Sequence, residues 1–585
     1  TPSNPWGDRA MGTEFDKRTQ IFALNLTDDA EFSFSAPTEL TRVEQETDSK
    51  DDENTEQDEN GKEAIDSGSI QWDGLNARLW QVPVAPGNYF GLSANKSLLF
   101  VGDRSGRNAT LKALELKHDA KLKTVTSGIA GYELSADGKA MFVFKRGNGN
   151  KNMYIVPAKS SFPKDLSDAQ VKAGDWQMRI NPQKEWAQLF HDAWLMHRES
   201  LFDPTMRGVD WDQVEDKYAP LLKRVTHRDE LNDVFAQMMG EMNTLHSQVR
   251  GGDIPTDKEQ PKAAMLGGVF DDTEQGVKIT HIYRYDTEVP SDAPPLAQAG
   301  VDAQEGDIIE SVNGRDVKTE AQLVSALLNK AGKQVLLGLV RNGEKLKTVV
   351  TPATTGKDFG LRYQDWVLAN GEKVSEANED IGYLHLYAMG GGDVANFARE
   401  FYAQYRKDGL IIDVRRNRGG NVDSMILEKL LRRVWMFWQY PDGSTGTNMQ
   451  QTCRGHLVVL ADQFTYSDGE TFTAGVRAMR IAPVIGKTTA GAGVWLTGRN
   501  SVADNGMARV AEFPVFAADG RWITEGRGIS PDIEVDNLPY ATFNGEDAQL
   551  EAAIKYLEEQ IKLSPINPLK GEAFPDARTP AKDVN

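Results

Sequence analysis

Cysteine is nearly missing from this chain: Cys453 stands alone among 585 residues. That excludes an internal disulfide and any zinc site built on several cysteines. Long apolar runs are missing as well, since no stretch approaches the ~18 to 20 apolar residues that cross a bilayer. The N-terminal stretch has no basic-then-apolar secretion signal. Positive charge is the minority sign, with 66 Lys and Arg against 86 Asp and Glu and a formal net charge of -20. A nucleic-acid groove needs clustered cations against phosphate, so the balance argues against that class of partner. There is no H-E-x-x-H, and His191 and His197, six positions apart, do not share a helical face. P-loop, dinucleotide fingerprint and G-x-S-x-G elbow are all lacking, so neither metal nor cofactor is proposed.

A chain of 585 residues is several domains' worth, because single cores stop growing near ~250 to 300 residues. Through residue 180, short alternating runs such as RTQIFALNL, SLLFVGD and AMFVFKR are separated by turn signals such as Asp137-Gly138. This all-β pattern predicts the C-terminal part of a β-propeller over 1–180, with further blades expected upstream, or else a β-sandwich. The run 42–69, dense in Asp and Glu, cannot bury enough apolar surface to order itself and is expected to be a flexible insertion. The chain lacks an initiator Met, so a processed or truncated piece is expected. It reads as soluble, with cytoplasm and bacterial periplasm both open.

Over 182–258 the apolar period changes to 3.6, predicting a small helical domain that ends in NTLHSQVRGGD with His246 in a loop. Residues 360–540 read as an α/β core in which IGYLHLY, GLIIDVR, HLVVLAD and APVIGK alternate with helices. A C-terminal helix and tail follow over 541–585. Two loops after strands carry chemistry, IDVRRNRGG and LADQFTYSDGE, and bring Gly419, Gly420 and Ser467 toward one end of the sheet. Ser467 precedes a helix whose free N-H groups favour an anion, although a serine before D-G-E can equally be a simple cap.

Residues 262–354, with LGGVF, EGDIIESVNGRDV and the helix EAQLVSALL, resemble a PDZ domain. The order of helical domain, PDZ, D-x-R-x-N-x-G-G, S-D-G-E and E-G-x-G-x-x-P-D-I-E-V over 182–540 resembles the tail-specific and tricorn-type serine peptidases of the S41 family. The resemblance implies Ser467 as nucleophile, His246 as general base and Glu525 as the carboxylate that orients it. It also implies an oxyanion hole made by the N-H groups of Gly420 and Asp468, with Gly419 beside the substrate. Peptides or unfolded chains are the implied substrates, and a closed homo-oligomer, a hexamer in the tricorn branch, the implied assembly.

The tail-specific branch activates its serine with a lysine, in a segment matched here by GKTTAGAG. Ala492 stands where that lysine belongs, and Lys487 lies five residues earlier. The tricorn branch takes a histidine from the helical domain, matching His246, and commonly has serine before it, where this chain has Leu245. A plain triad of Ser467, His246 and Glu525 is therefore expected. The rival histidine, His385, alternates with Tyr383 and Tyr387 in a core strand and reads as structural. The strand VWLTG offers Trp495 and Leu496 either as core residues or as an edge for substrate pairing. Trp435 to Trp438 are candidates for an apolar specificity pocket. The alternative function is an inactive peptide-binding scaffold using the propeller and PDZ domains.

Overall fold

The computed structural model describes residues 17, 19–27, 32–36, 70–105, 108–146, 151–172, 177–255, 259–523, 525–567, 569 and 571–572, with the backbone of 4–8 and 12–14. The acidic run 42–69 lies outside them. The chain divides into two units, Thr1–Arg179 and Ile180–Asn585.

In the first unit, alternation of apolar and polar residues produces up-and-down antiparallel sheets. Tyr89–Ala94, Leu98–Ser105, Asn108–Glu115 and Lys123–Ser127 pair in chain order, and Ile129–Leu134, Ala140–Arg146 and Lys151–Pro157 form a second meander. Asp137 closes one hairpin by accepting from the Ser135 hydroxyl and the Lys139 N-H, while Gly138 takes φ 67°. Inward residues Phe100, Leu111, Met141 and Val143 share one core. These sheets are the blade-like part of a partial β-propeller.

The second unit opens with helices Pro182–Ser200, Trp211–Tyr218 and Arg228–Gly240. Asn181 and Asp210 cap the first two by accepting backbone N-H groups, and Pro182 occupies the first helical turn, where its missing donor costs nothing. Their apolar faces do not close on themselves. Phe190, Trp194, Phe235 and Met238 pack in one cluster with Val494, Ala508 and Val510 of the α/β segment. The turn after the third helix leads into a strand that joins the same region, Gln248–Arg250 pairing with Met507–Phe513. Arg228 meets Asp504 at 2.6 Å in a buried ion pair at the same seam.

The PDZ segment is a sheet in the order Gly268–Thr273, Gly276–Ile282, Ile308–Val312, Val335–Arg341 and Glu344–Val350, with Arg315–Asp316 beside the third strand and Glu320–Leu327 as its helix. The edge strand Gly268–Thr273 and this helix border a groove of about 450 Å³.

The core is a five-stranded parallel sheet, Ile381–His385, Gly409–Asp413, His456–Ala461, Val484–Gly486 and Ile533–Glu534, whose spatial order is the chain order. Right-handed crossovers running in one direction put all their helices on one face. Accordingly Phe397, Phe401, Ile426, Phe472 and Val476, from helices Gly391–Gln404, Asp423–Leu430 and Asp468–Ala478, pack together against that face. The opposite face needs cover from outside the crossovers. Thr355–Ala377 and the C-terminal helix Ala548–Leu563 supply it, through Val374, Leu550, Ala553 and Leu557. Among the described residues no helix is long and apolar enough to cross a membrane.

Candidate active site

Parallel strands deliver all their carboxyl ends to one side of a sheet, and four loops meet there. The first two are knitted by Met389 N-H to the Gly419 carbonyl and Asn421 N-H to the Met389 carbonyl. The others join through Tyr466 N-H to Asn417 and Ala490 N-H to Thr465. Asn417 is fully buried, donating to the Leu386 carbonyl and accepting from Gly419 N-H at 2.8 Å. This pins Gly419 at φ 78° so closely that a Cβ there would lie 2.5 Å from Ser467 Cβ and 2.9 Å from its Oγ.

Ser467 is half-buried at φ 56°, ψ -120°, between His456–Ala461 and the helix Asp468–Ala478. A non-glycine residue in that conformation costs about 1 to 3 kcal/mol and persists only where its surroundings impose it. Glu470 imposes it. Fully buried, its carboxylate accepts from Ser467 N-H, Thr489 hydroxyl, Gly491 N-H and Ala492 N-H at 2.6 to 3.2 Å, tying the Ser467 turn to the loop after Val484–Gly486. In Glu470→Gln an amide NH₂ must face one of these donors. Loss of about 1 to 3 kcal/mol of stability is expected, read by urea unfolding, together with lowered kcat.

The N-H groups of Asp468, at the first helical position, and of Gly420 have no acceptor among the described residues. Behind them the buried Asp468 carboxylate accepts from Val422 and Asp423 N-H, and burial followed by the Asp423 charge pushes its pKa up to about 7. Two unclaimed donors and a helix N-terminus beside a serine hydroxyl form a place where negative charge can develop.

His246 comes to this site through the shared core of the helical domain. Its ring stands 5.0 Å edge-on to Tyr466, the residue before Ser467, and the Tyr466 hydroxyl donates to the Leu245 carbonyl. It is buried rather than presented in an open loop. Nδ1 lies 2.6 Å from the Val494 carbonyl, which can only accept, so Nδ1 carries the proton and Nε2 keeps its lone pair. Burial is the largest influence on its pKa and lowers it, with the Val494 bond opposing.

Where the sequence reading puts Glu525 on the ring of His246, the structure puts the Val494 carbonyl. Glu525 Oε2 instead accepts from Gly493 and Val494 N-H at 3.1 and 3.0 Å, and Oε1 lies 3.8 Å from Arg207 Nη1. The carboxylate holds the peptide that holds the histidine. Its pKa is raised, burial being the main cause.

His385 is enclosed, receiving the Tyr363 hydroxyl at Nδ1 and donating from Nε2 to the Arg415 carbonyl, so neither nitrogen is left for catalysis. Lys487 pairs with Glu534 at 2.8 Å and Asp536 at 3.5 Å, and the Glu534 bond raises its pKa, away from a base's needs. Lys487→Ala should therefore keep most of the turnover, checked by kcat/KM on a peptide substrate. Among the described residues Trp495–Thr497, which includes Leu496, pairs only with Met507–Phe513 and is an edge of its sheet. Trp435 and Trp438 are exposed, the latter on the ribbon Phe437–Gln439 with Thr445–Thr447.

Sequence reasoning missed Glu470, Asn417 and Val494. S-D-G-E contained a signal for the first, a glutamate at the third helical position, which local sequence reads as an ordinary capping box. Nothing local marks a carbonyl such as that of Val494.

Residues 380–535 match peptidase family S41, residues 182–240 the tricorn protease C1 domain and residues 265–354 the tricorn protease PDZ domain. A chain described as a tricorn-like protease C-terminal subunit from Sulfurisphaera tokodaii is 30% identical over 522 residues, 86% of this chain and 59% of that one. Tricorn protease homolog 1 of Streptomyces coelicolor is 31% identical over 444 residues, 74% of this chain and 41% of its own length. A crystal structure of the tricorn protease shares the fold with a TM-score of 0.82 at 23% identity, covering 96% of this chain and 53% of that one. The chain thus spans 41% to 59% of the length of these relatives.

Proposed function

The chain is a tricorn-like member of peptidase family S41, and from that premise we propose that it is a serine peptidase acting on oligopeptides or unfolded chains, with Ser467 as nucleophile. The observation that carries this is the strained Ser467 turn, pressed against Gly419 and flanked by the two unclaimed N-H groups.

A serine hydroxyl attacks a peptide carbonyl only when a base accepts its proton. In the proposed step His246 Nε2 takes it as the Ser467 Oγ–carbon bond forms. The charge arriving on the carbonyl oxygen is met by Gly420 and Asp468 N-H. His246 then returns the proton to the departing amine, and water releases the acyl group by the reverse sequence. The Val494 carbonyl fixes the ring's tautomer and stabilises the imidazolium, the part a carboxylate plays in a direct triad. Glu525 acts one bond further back, as a positioning residue. Leu245 offers no side chain for a fourth relay member.

The free edge at Trp495 and Leu496 suits pairing with the substrate backbone, and the PDZ groove suits an extended segment of the same chain. A closed homo-oligomer, hexameric by likeness to the tricorn branch, is part of the proposal. The test is incubation of the purified chain with an unfolded polypeptide, followed by mass spectrometry of the products. New termini are expected with wild type and none with Ser467→Ala. Cleavage that persists in Ser467→Ala would remove Ser467 from the mechanism.

A further inference from the structure

In the segment VRRNRGG the side chains alternate: Arg415 and Asn417 are buried, Arg416 and Arg418 exposed. The inward pair anchors the loop, Arg415 binding both oxygens of Asp413 and reaching Asp547 at 2.7 Å, and Asn417 bonding as described above. The outward pair is not needed for that anchoring. Arg416 is held in the left-handed region at φ 59°, its N-H donating to Asp462 at 2.9 Å. Its guanidinium stacks on Phe464 at 5.1 Å, and that of Arg418 on Tyr387 at 5.0 Å and Phe359 at 5.8 Å. Among the described residues neither guanidinium has a carboxylate partner. Both line a cavity of about 1010 Å³ at the carboxyl ends of the core strands, with Trp366 and the exposed Phe543 also on its wall.

The acids on that wall are already engaged. Asp462 accepts from Arg416 and Phe464 N-H, Asp547 is bound by Arg415 and Asn537, and Asp536 lies 3.5 Å from Lys487. What remains is a pair of cations, each over an aromatic ring and without a carboxylate among the described residues, and a guanidinium fork suits a planar carboxylate. The proposed peptidase mechanism uses neither side chain. The cavity is large enough for several residues of extended chain and its aromatic walls suit apolar side chains between charges. It also adjoins the chemistry: Arg418 directly precedes Gly419, whose backbone abuts Ser467, and neighbouring Cα atoms are ~3.8 Å apart.

We infer that this cavity is a recognition pocket for an internal acidic segment of a polypeptide substrate, one carrying at least two Asp or Glu side chains among apolar residues. Two cations on one wall are matched by two negative charges, whereas the carboxylate of a chain terminus supplies one. The inference rests on the reading of the chain as a peptidase and names the substrate class it would favour.

The test uses the full chain as Ser467→Ala, so that binding is read apart from cleavage. A fluorescent, C-terminally amidated peptide with two acidic residues between Phe and Leu should bind at least 10-fold more tightly by anisotropy than its Asn/Gln twin. Adding Arg416→Ala and Arg418→Ala should abolish the difference, and Arg416→Glu with Arg418→Glu should transfer the preference to a Lys twin. Equal binding of the acidic and neutral peptides, or an acidic preference that survives both alanines, would overturn the inference. So would a neutral peptide with a free C-terminus binding as tightly as the acidic one, since the pocket would then read the chain end. Hydrolysis by the Ser467 enzyme is measured separately, so failure of the peptidase reading would show there and not in these arms.

Discussion

Replacing His246 by alanine should cut turnover about as deeply as replacing Ser467, on the order of 10⁴- to 10⁶-fold, because members of a nucleophile–base unit fail together. The two residues are separated by the whole PDZ segment in sequence, yet Tyr466 touches both Leu245 and His246. His385→Ala is the matched control. It should weaken the fold by removing bonds to Tyr363 and Arg415, while the folded fraction keeps its turnover. The pH profile follows from the same ring. A base must be neutral to accept the serine proton, and burial lowers the His246 pKa below its usual value of 6.5. Activity should therefore hold from neutral pH to somewhat below 6.5 and fall on further acidification as the ring protonates. A limb that falls instead as pH rises through neutrality would contradict His246 as base.

Gly420→Val carries the second large effect. From sequence alone it should obstruct the oxyanion hole and leave folding nearly intact, with turnover down by ~10²-fold or more. The structure corrects the second half. A Cβ at Gly420 would lie 1.8 Å from the Met389 carbonyl oxygen, and that oxygen is backbone already bonded to Asn421 N-H. The loop must move, so a fall in turnover should come with a lower unfolding midpoint. The measurement is kcat beside a urea melt on the same preparation. Unchanged turnover in a folded Gly420→Val protein would take Gly420 out of the site.

Periodicity made the layers legible, because side chains alternate on strands and recur every 3.6 residues on helices. It could not reveal that the helical domain lacks a closed core of its own, since Phe235 and Val510 meet only in three dimensions. The sequence reading gave the helix within 541–585 no role in the sheet, whereas the one-directional strand order leaves a bare face that Ala548–Leu563 covers. At the site, residue types were readable and their partners were not. A glutamate in TEGRGIS can reach a ring or a backbone N-H, and only the fold decides in favour of Gly493 and Val494. Ser467 likewise carries no glycine signal for its turn, because the strain is imposed from Glu470 and Gly419. Trp435 and Trp438, candidates for an apolar pocket, lie exposed, and apolar composition does not tell which surface covers a side chain.

The central claim is that Ser467 is a serine activated by His246. Its most direct test is to treat the purified protein with a fluorophosphonate probe at neutral pH and locate the adduct by peptide mass spectrometry. One label is expected, on Ser467, absent from Ser467→Ala and strongly slowed in His246→Ala but retained in His385→Ala. Labelling of another serine, or labelling of Ser467 at full rate without His246, would contradict the account.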